Sequence, residues 1–149
     1  TRIPNLGWFA QLASVRTFRS LILESNDATD SHVVAACSQN PLEKLELNGI
    51  RGLTRGVIDG IISSQFAATL RDLNITYCED QDVEDEESYM QEVGIRAGDM
   101  LRLVGASPGL SQLHWQREYC PDLHNVPPEE LEMKEILAGR GGKFHNIIG

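Results

Sequence analysis

Hydrophobic positions recur along this chain in four segments that align with one another: FRSLILESN (18–26), LEKLELNGI (42–50), LRDLNITYC (70–78) and LSQLHWQRE (110–118). Each reads LxxLxLxxx, with Phe18, Ile75 and Trp115 standing in for leucine. The last two apolar positions of each segment are two residues apart, the period of a strand whose successive side chains point to opposite faces. Between the segments lie helix-like aliphatic runs, HVVAAC (32–37), VIDGII (57–62) and DMLRLV (99–104), followed by the turn signals SQNP, SSQFAAT and GASPG. Strands that alternate with helices predict right-handed crossovers into a parallel sheet. The chain therefore reads as a single α/β domain of stacked units, led in by a helix near residues 7–15. Leu21, Leu45, Leu73 and Leu113, with Leu23, Leu47, Ile75 and Trp115, are its expected core.

The tail extends the same logic. Glu129–Ala138 reads as a helix that starts after Pro127 and Pro128, with Glu129 and Glu130 in the first turn, where the helix dipole favours acids. Gly139, Gly141 and Gly142 end it. KFHNIIG (143–149) then reads as a truncated fifth strand. Phe144 and Ile147 stand three apart like the first two apolar positions of the other strands, which places Phe144 34 residues after its equivalent, Leu110. Trp8, Phe9 and Leu12 lead in and Phe144, Ile147 and Ile148 lead out, so apolar surface is expected at both ends. The opening TRIPNLGWFA has neither an initiator Met nor the pattern of a signal sequence, and the chain reads as a piece of something longer.

LxxLxLxx(N/C) strands followed by a helix and a turn resemble leucine-rich repeats. Asn26 and Cys78 stand where that family places Asn or Cys to bond the turning backbone. The segment NDATDSHVVAACSQNPLEKL is most similar to the cysteine-containing class, with Thr29 and Asp30 as its TD pair, Cys37 at the helix end and Pro41 with Leu42 at the turn and next strand. The resemblance covers about residues 15–119. It implies an α/β solenoid with a parallel sheet on the concave face and short helices on the convex face. The class is common in F-box proteins, the substrate-recognition subunits of ubiquitin ligases, although no F-box is visible in these residues. The chain departs from the family in two ways. Strand starts at Phe18, Leu42, Leu70 and Leu110 are 24, 28 and 40 residues apart, against a family period of roughly 20–29. Ile50 and Glu118 also replace Asn or Cys at the turn.

Composition narrows the partners. Thirteen basic residues stand against 22 acidic ones, a formal charge of −9, which argues against nucleic acid and anionic membranes and favours a basic partner. Every apolar run is interrupted well short of the ~20 residues that a membrane helix needs, so a soluble chain is expected. Three cysteines, an odd number with no CxxC spacing, favour a reducing intracellular setting, cytoplasmic or nuclear.

Chemical motifs are sparse, and no cofactor or metal is expected. EDQDVEDEE (79–87) holds seven acids in nine residues but lacks the Gly and Glu that a calcium loop requires at its sixth and twelfth places. An acidic insertion at residues 79–88, which accounts for the long third interval, is the simpler reading. Cys37 sits among small aliphatics as a buried cysteine would, Cys78 follows a strand, and Cys120 lies near His114 and His124 without a defined geometry. His32, His114, His124 and His145 have no partner spacing and read as surface or turn residues. GRGGK (139–143) has Leu137 and Phe144 where a phosphate loop needs Gly and Ser or Thr.

What remains is a surface. The residues flanking the inward leucines are Ser20, Ile22 and Glu24; Lys44, Glu46 and Asn48; Asp72, Asn74 and Thr76; and Gln112, His114 and Gln116. All but Ile22 are polar, and their identities change from strand to strand. They would face the concave side, where repeat proteins bind extended partners. The expectation is a noncatalytic protein–protein interaction module, which the resemblance specifies as an F-box-type substrate-recognition part. A small α/β hydrolase or metal-dependent enzyme using the acidic segment and a histidine is the alternative.

Overall fold

A computed structural model of the chain describes residues 2–3, 19–24, 29–37, 41–50, 53–76, 94–115 and 128–146. Its elements are β1 (Arg2–Ile3), β2 (Ser20–Glu24), α1 (Asp30–Cys37), β3 (Lys44–Asn48), α2 (Arg55–Ser63), a 3-10 turn (Gln65–Ala68), β4 (Asp72–Thr76), α3 (Ala97–Ala106), β5 (Gln112–Trp115), α4 (Pro128–Gly139) and β6 (Lys143–Asn146). The fold is α/β. One sheet holds all six strands in sequence order, and every neighbouring pair is parallel. The helices pack on one another in chain order, α1 on α2 on α3 on α4, and so form a single layer.

The pattern of apolar residues fixes which face of the sheet meets that layer. Leu21, Leu45, Leu73 and Leu113 lie opposite one another in register, followed by Leu23, Leu47, Ile75 and Trp115. All eight are buried, as the period of two predicts. Leu42, Leu70 and Leu110, which precede the strands, are buried with them, and Val33, Val57, Ile58, Ile61, Met100, Leu103, Val104, Met133 and Leu137 complete the core from the helices. Each such side chain contributes about 1.5–3 kcal/mol relative to exposure.

Helix starts carry the polar half of the architecture. The Thr54 hydroxyl caps α2 by accepting from Gly56 N at 3.1 Å. Thr54 is itself held by the preceding unit: its N–H donates to Asp30 Oδ1 at 2.8 Å and its hydroxyl donates to Asp30 Oδ2. Asp99 serves α3 by accepting from Arg96 N at 2.8 Å.

The strands enter the sheet through a repeated backbone contact. Arg19 O accepts from both Glu43 N and Lys44 N, Glu43 O from Arg71 N and Asp72 N, and Arg71 O from Ser111 N and Gln112 N, all between 2.8 and 3.1 Å. Two residues before the first of these donors, a side chain reaches back to the preceding unit. The Thr69 hydroxyl donates to Leu42 O at 2.7 Å, and at the equivalent place Arg140 Nη1 donates to Leu110 O at 2.9 Å. Arg140 also donates to Ser107 O at 3.0 Å and Val104 O at 3.1 Å, adding a second donor to carbonyls that already accept from Leu110 N and Ser107 N at the end of α3. The third such position is Gly109, where an added Cβ would lie 3.6 Å from Leu70 O with nothing to donate to it.

The fifth long strand exists, and its register differs from the sequence expectation. Phe144 pairs with Leu113, not with the Leu110 position, so it lies 31 residues after its equivalent. The position equivalent to Leu110 is held by Gly141, and an LxxL alignment cannot find a strand that lacks its first leucine. Gly141 has φ +76°, and α4 ends in a Schellman turn: Gly142 N donates to Leu137 O at 2.8 Å and Gly141 N to Ala138 O at 3.0 Å. Gly142 passes so close to β5 that a Cβ there would sit 1.8 Å from Ser111 O. Phe144, expected at an exposed end, is buried, with Lys134 Nζ 5.8 Å from its ring centroid.

The extra length of the third interval lies between strand and helix. α1 and α2 begin six and seven residues after the strands before them, whereas α3 begins 21 residues after β4. The acidic residues 79–88, Cys78, Cys120, His124, the expected helix near 7–15 and the terminal Ile147 and Ile148 lie outside the described residues.

Two substitutions test this stacking. Gly142→Ala should lower stability by at least about 1–3 kcal/mol in denaturant unfolding, because the clash is with backbone. Gly109→Thr, which supplies the hydroxyl that Thr69 supplies one unit earlier, should raise it by about 0.5–1.5 kcal/mol.

Candidate functional site

The sheet face opposite the helices carries the polar residues singled out in the sequence, set in rows by the strand register. One row reads Ser20, Lys44, Asp72, Gln112, Lys143; the next reads Ile22, Glu46, Asn74, His114, His145; the third begins Glu24, Asn48, Thr76. Neighbours within a row stand one strand spacing apart, roughly 5 Å, close enough for side chains to meet across the sheet.

Ten of the twelve predicted residues can be placed with their side chains. Lys44 is exposed, and Ser20, Ile22, Glu46, Asn48, Asp72, Asn74, Gln112 and His114 are half-buried. Thr76 corrects the expectation of an open position: it is only 4% exposed, since a short side chain on a central strand is overshadowed by its neighbours. The Glu24 side chain and Gln116 lie outside the described residues.

The centre of the face is a polar chain running across strands. Asn74 Nδ2 donates to Glu46 Oε1 at 3.4 Å, while Asn74 Oδ1 is buried with no hydrogen-bond partner. His114 follows Asn74 in register. Its ring stacks on that of His145, with centroids 4.0 Å apart and planes 3° from parallel. His145 Nε2 lies 3.2 Å from Gln112 Oε1. A carbonyl oxygen can only accept, so Nε2 carries the proton of this bond and Nδ1 is the basic nitrogen. Burial, then the neighbouring His114 and Lys143, hold the His145 imidazole below the ordinary histidine pKa, with Asp72 opposing.

His145 corrects the reading of the histidines as unpartnered. The sequence expectation missed it because Phe144 was aligned with Leu110. Once Phe144 is matched to Leu113, KFHN falls under QLHW and His145 under His114. His32 remains a local residue, its Nδ1 accepting from Thr29 N at 3.2 Å.

Other motifs resolve structurally. GRGGK is the helix stop and close-approach turn already described, and Cys37 is the last residue of α1. Among the described residues no group of three or more His, Cys, Asp or Glu side chains could hold a metal ion, and no helix is long and apolar enough to cross a membrane. On the helix layer Arg102 bridges Asp59 at 2.9 Å and Asp99 at 3.0 Å, an exposed network that contributes little to stability. No model of a known protein family matches the chain, and no curated protein matches it.

The His145 environment gives a pH dependence. Its folded pKa is depressed, so in the window between that value and the ordinary histidine value the unfolded chain binds more protons than the folded one. The His145 contribution to stability is therefore full above the ordinary range and lost as pH falls through the depressed value. Between pH 7.5 and 5.5 the wild-type denaturation midpoint should fall further than that of His145→Gln. Equal falls in the two proteins would remove His145 from the acid response.

Proposed function

We propose that this chain is a noncatalytic protein-interaction module of leucine-rich-repeat type, whose open sheet face binds an extended polypeptide. One observation carries the reading: the two faces of the same strands differ in character. The helix-facing side of β2–β5 is buried and apolar, whereas the other side, apart from Ile22 and the buried Thr76, presents half-buried or exposed polar groups that change at every strand. A face that needed only to meet water would be served by any polar residue. A row running Ile22, Glu46, Asn74, His114, His145 offers instead an apolar contact, a carboxylate, an amide and two imidazoles at fixed spacing. Strand-borne side chains on a stacked sheet are rigid, which lowers the entropic cost of binding a flexible partner.

The resemblance of NDATDSHVVAACSQNPLEKL to the cysteine-containing repeats supports a narrower reading, the substrate-recognition part of an F-box-type ubiquitin ligase acting inside the cell. That step rests on likeness of sequence pattern, since folds of this kind serve many partners. Recovery of a ubiquitin-ligase scaffold with the full-length protein tests it separately.

Peptides selected on the folded protein from a displayed library test the face itself. Asn74→Ala and Glu46→Ala should each weaken a selected peptide by roughly tenfold or more, as central interface residues do, with the melting temperature little changed. Asp59→Ala and Arg102→Ala on the helix layer should leave binding intact. Loss of binding in the helix-layer variants, with open-face variants unaffected, would overturn the proposal.

A further inference from the structure

The β5–β6 end of the open face differs in charge from the rest. Lys44, Glu46 and Asp72 mix signs on β3 and β4, whereas the open positions described on β5 and β6 are Gln112, His114, Lys143 and His145, without a carboxylate. This lies in a chain of formal charge −9. Lys143 is exposed. The two imidazoles beside it are stacked at 4.0 Å, a spacing at which two positive rings would repel strongly, so the pair accommodates one added proton far more readily than two.

We propose that this end of the face is a proton-linked docking point for a carboxylate side chain of the bound polypeptide, with Lys143 supplying fixed charge and the His114–His145 pair taking up one proton as the carboxylate arrives. The proposal rests on the binding role assigned above to the open face and names the partner chemistry at one end of it. A fixed cation and a second, proton-dependent cation on adjacent strands match an anion that lies across them.

Charged and polar groups border the pair on both sides. His145 spends its Nε2–H on Gln112 Oε1, and burial, His114 and Lys143 all disfavour its charged form, with Asp72 of β4 the acid that opposes them. His114 has a different neighbour on its other side. Asn74 stands in register with it and holds a buried Oδ1 without a partner, while its amide nitrogen is turned toward Glu46. That oxygen is an unused acceptor on the strand next to His114, and Glu46 lies beyond the amide. From α4, Lys134 lies over Phe144, which points to the helix side of β6, away from the imidazoles. The stacked pair as a unit is therefore the proton acceptor.

Binding of a labelled, capped hexaglutamate peptide to the intact chain, measured from pH 7.5 to 5.5 with hexalysine as control, tests this, since glutamate stays ionised throughout. One-proton linkage predicts that hexaglutamate affinity rises toward the acid end with a limiting slope of about tenfold per pH unit. Replacing both imidazoles, His114→Gln together with His145→Gln, should flatten the slope, and Lys143→Gln should weaken binding at every pH but keep it. A pH-independent wild-type affinity, a slope that survives replacement of both histidines, or no hexaglutamate binding would each overturn the proposal. Amide shift mapping in the same titration separates it from the broader reading. Peptide-induced shifts confined to β2–β4 would sink the acidic dock and leave face binding standing. If no peptide of either sign, nor one selected from a library, shifts the open face, both fall.

Discussion

A slip of one residue in any strand would place Lys44, Glu46 and Asn48 against the helices and turn Leu45 and Leu47 outward. Burying those charged and polar groups without partners costs far more than a marginally stable domain can absorb. The alternation of apolar and polar positions therefore fixes the strand register, and register fixes the rest. It stacks Leu21, Leu45, Leu73 and Leu113 into one buried row, lays the helices against it, and sets Glu46, Asn74, His114 and His145 side by side on the other face. Core and candidate site are two readings of one constraint.

Each unit also holds the one before it through groups that differ in type but share a place. Thr69 and Arg140 both donate to the carbonyl of the first leucine of the preceding unit, and Asp30 receives the N–H and hydroxyl of Thr54 from the following one. These contacts satisfy backbone and capping groups at helix ends and strand entries, where a stacked fold leaves them free. The β4–α3 connection tolerates its extra length because strand pairing and helix packing are set on either side of it, and added loop length costs little entropy.

Much of this was legible in the sequence, because LxxLxL reports burial directly. The strands β2–β5, their order, their parallel pairing and all eight core positions follow from it. The fifth long strand was legible only as a strand. Its leading position is Gly141, chosen for a left-handed backbone conformation, and that choice erased the leucine that would have set the alignment. The error hid His145, since a shift of Phe144 moves every following side chain to a different place. Thr69 and Arg140 were invisible for another reason: a shared geometric task met by a hydroxyl in one unit and a guanidinium in another leaves no common residue. Thr76 looked open because alternation gives the face a side chain points to but not how much its neighbours cover it.

The register of β6 is the point on which the core and the site depend together. Interstrand NOEs in the labelled protein test it most directly. The structure requires contacts from Leu113 to Phe144 across the strands and between the ring protons of His114 and His145. NOEs that place Phe144 beside Leu110, with the two imidazoles apart, would contradict both the packing of the last unit and the site built upon it.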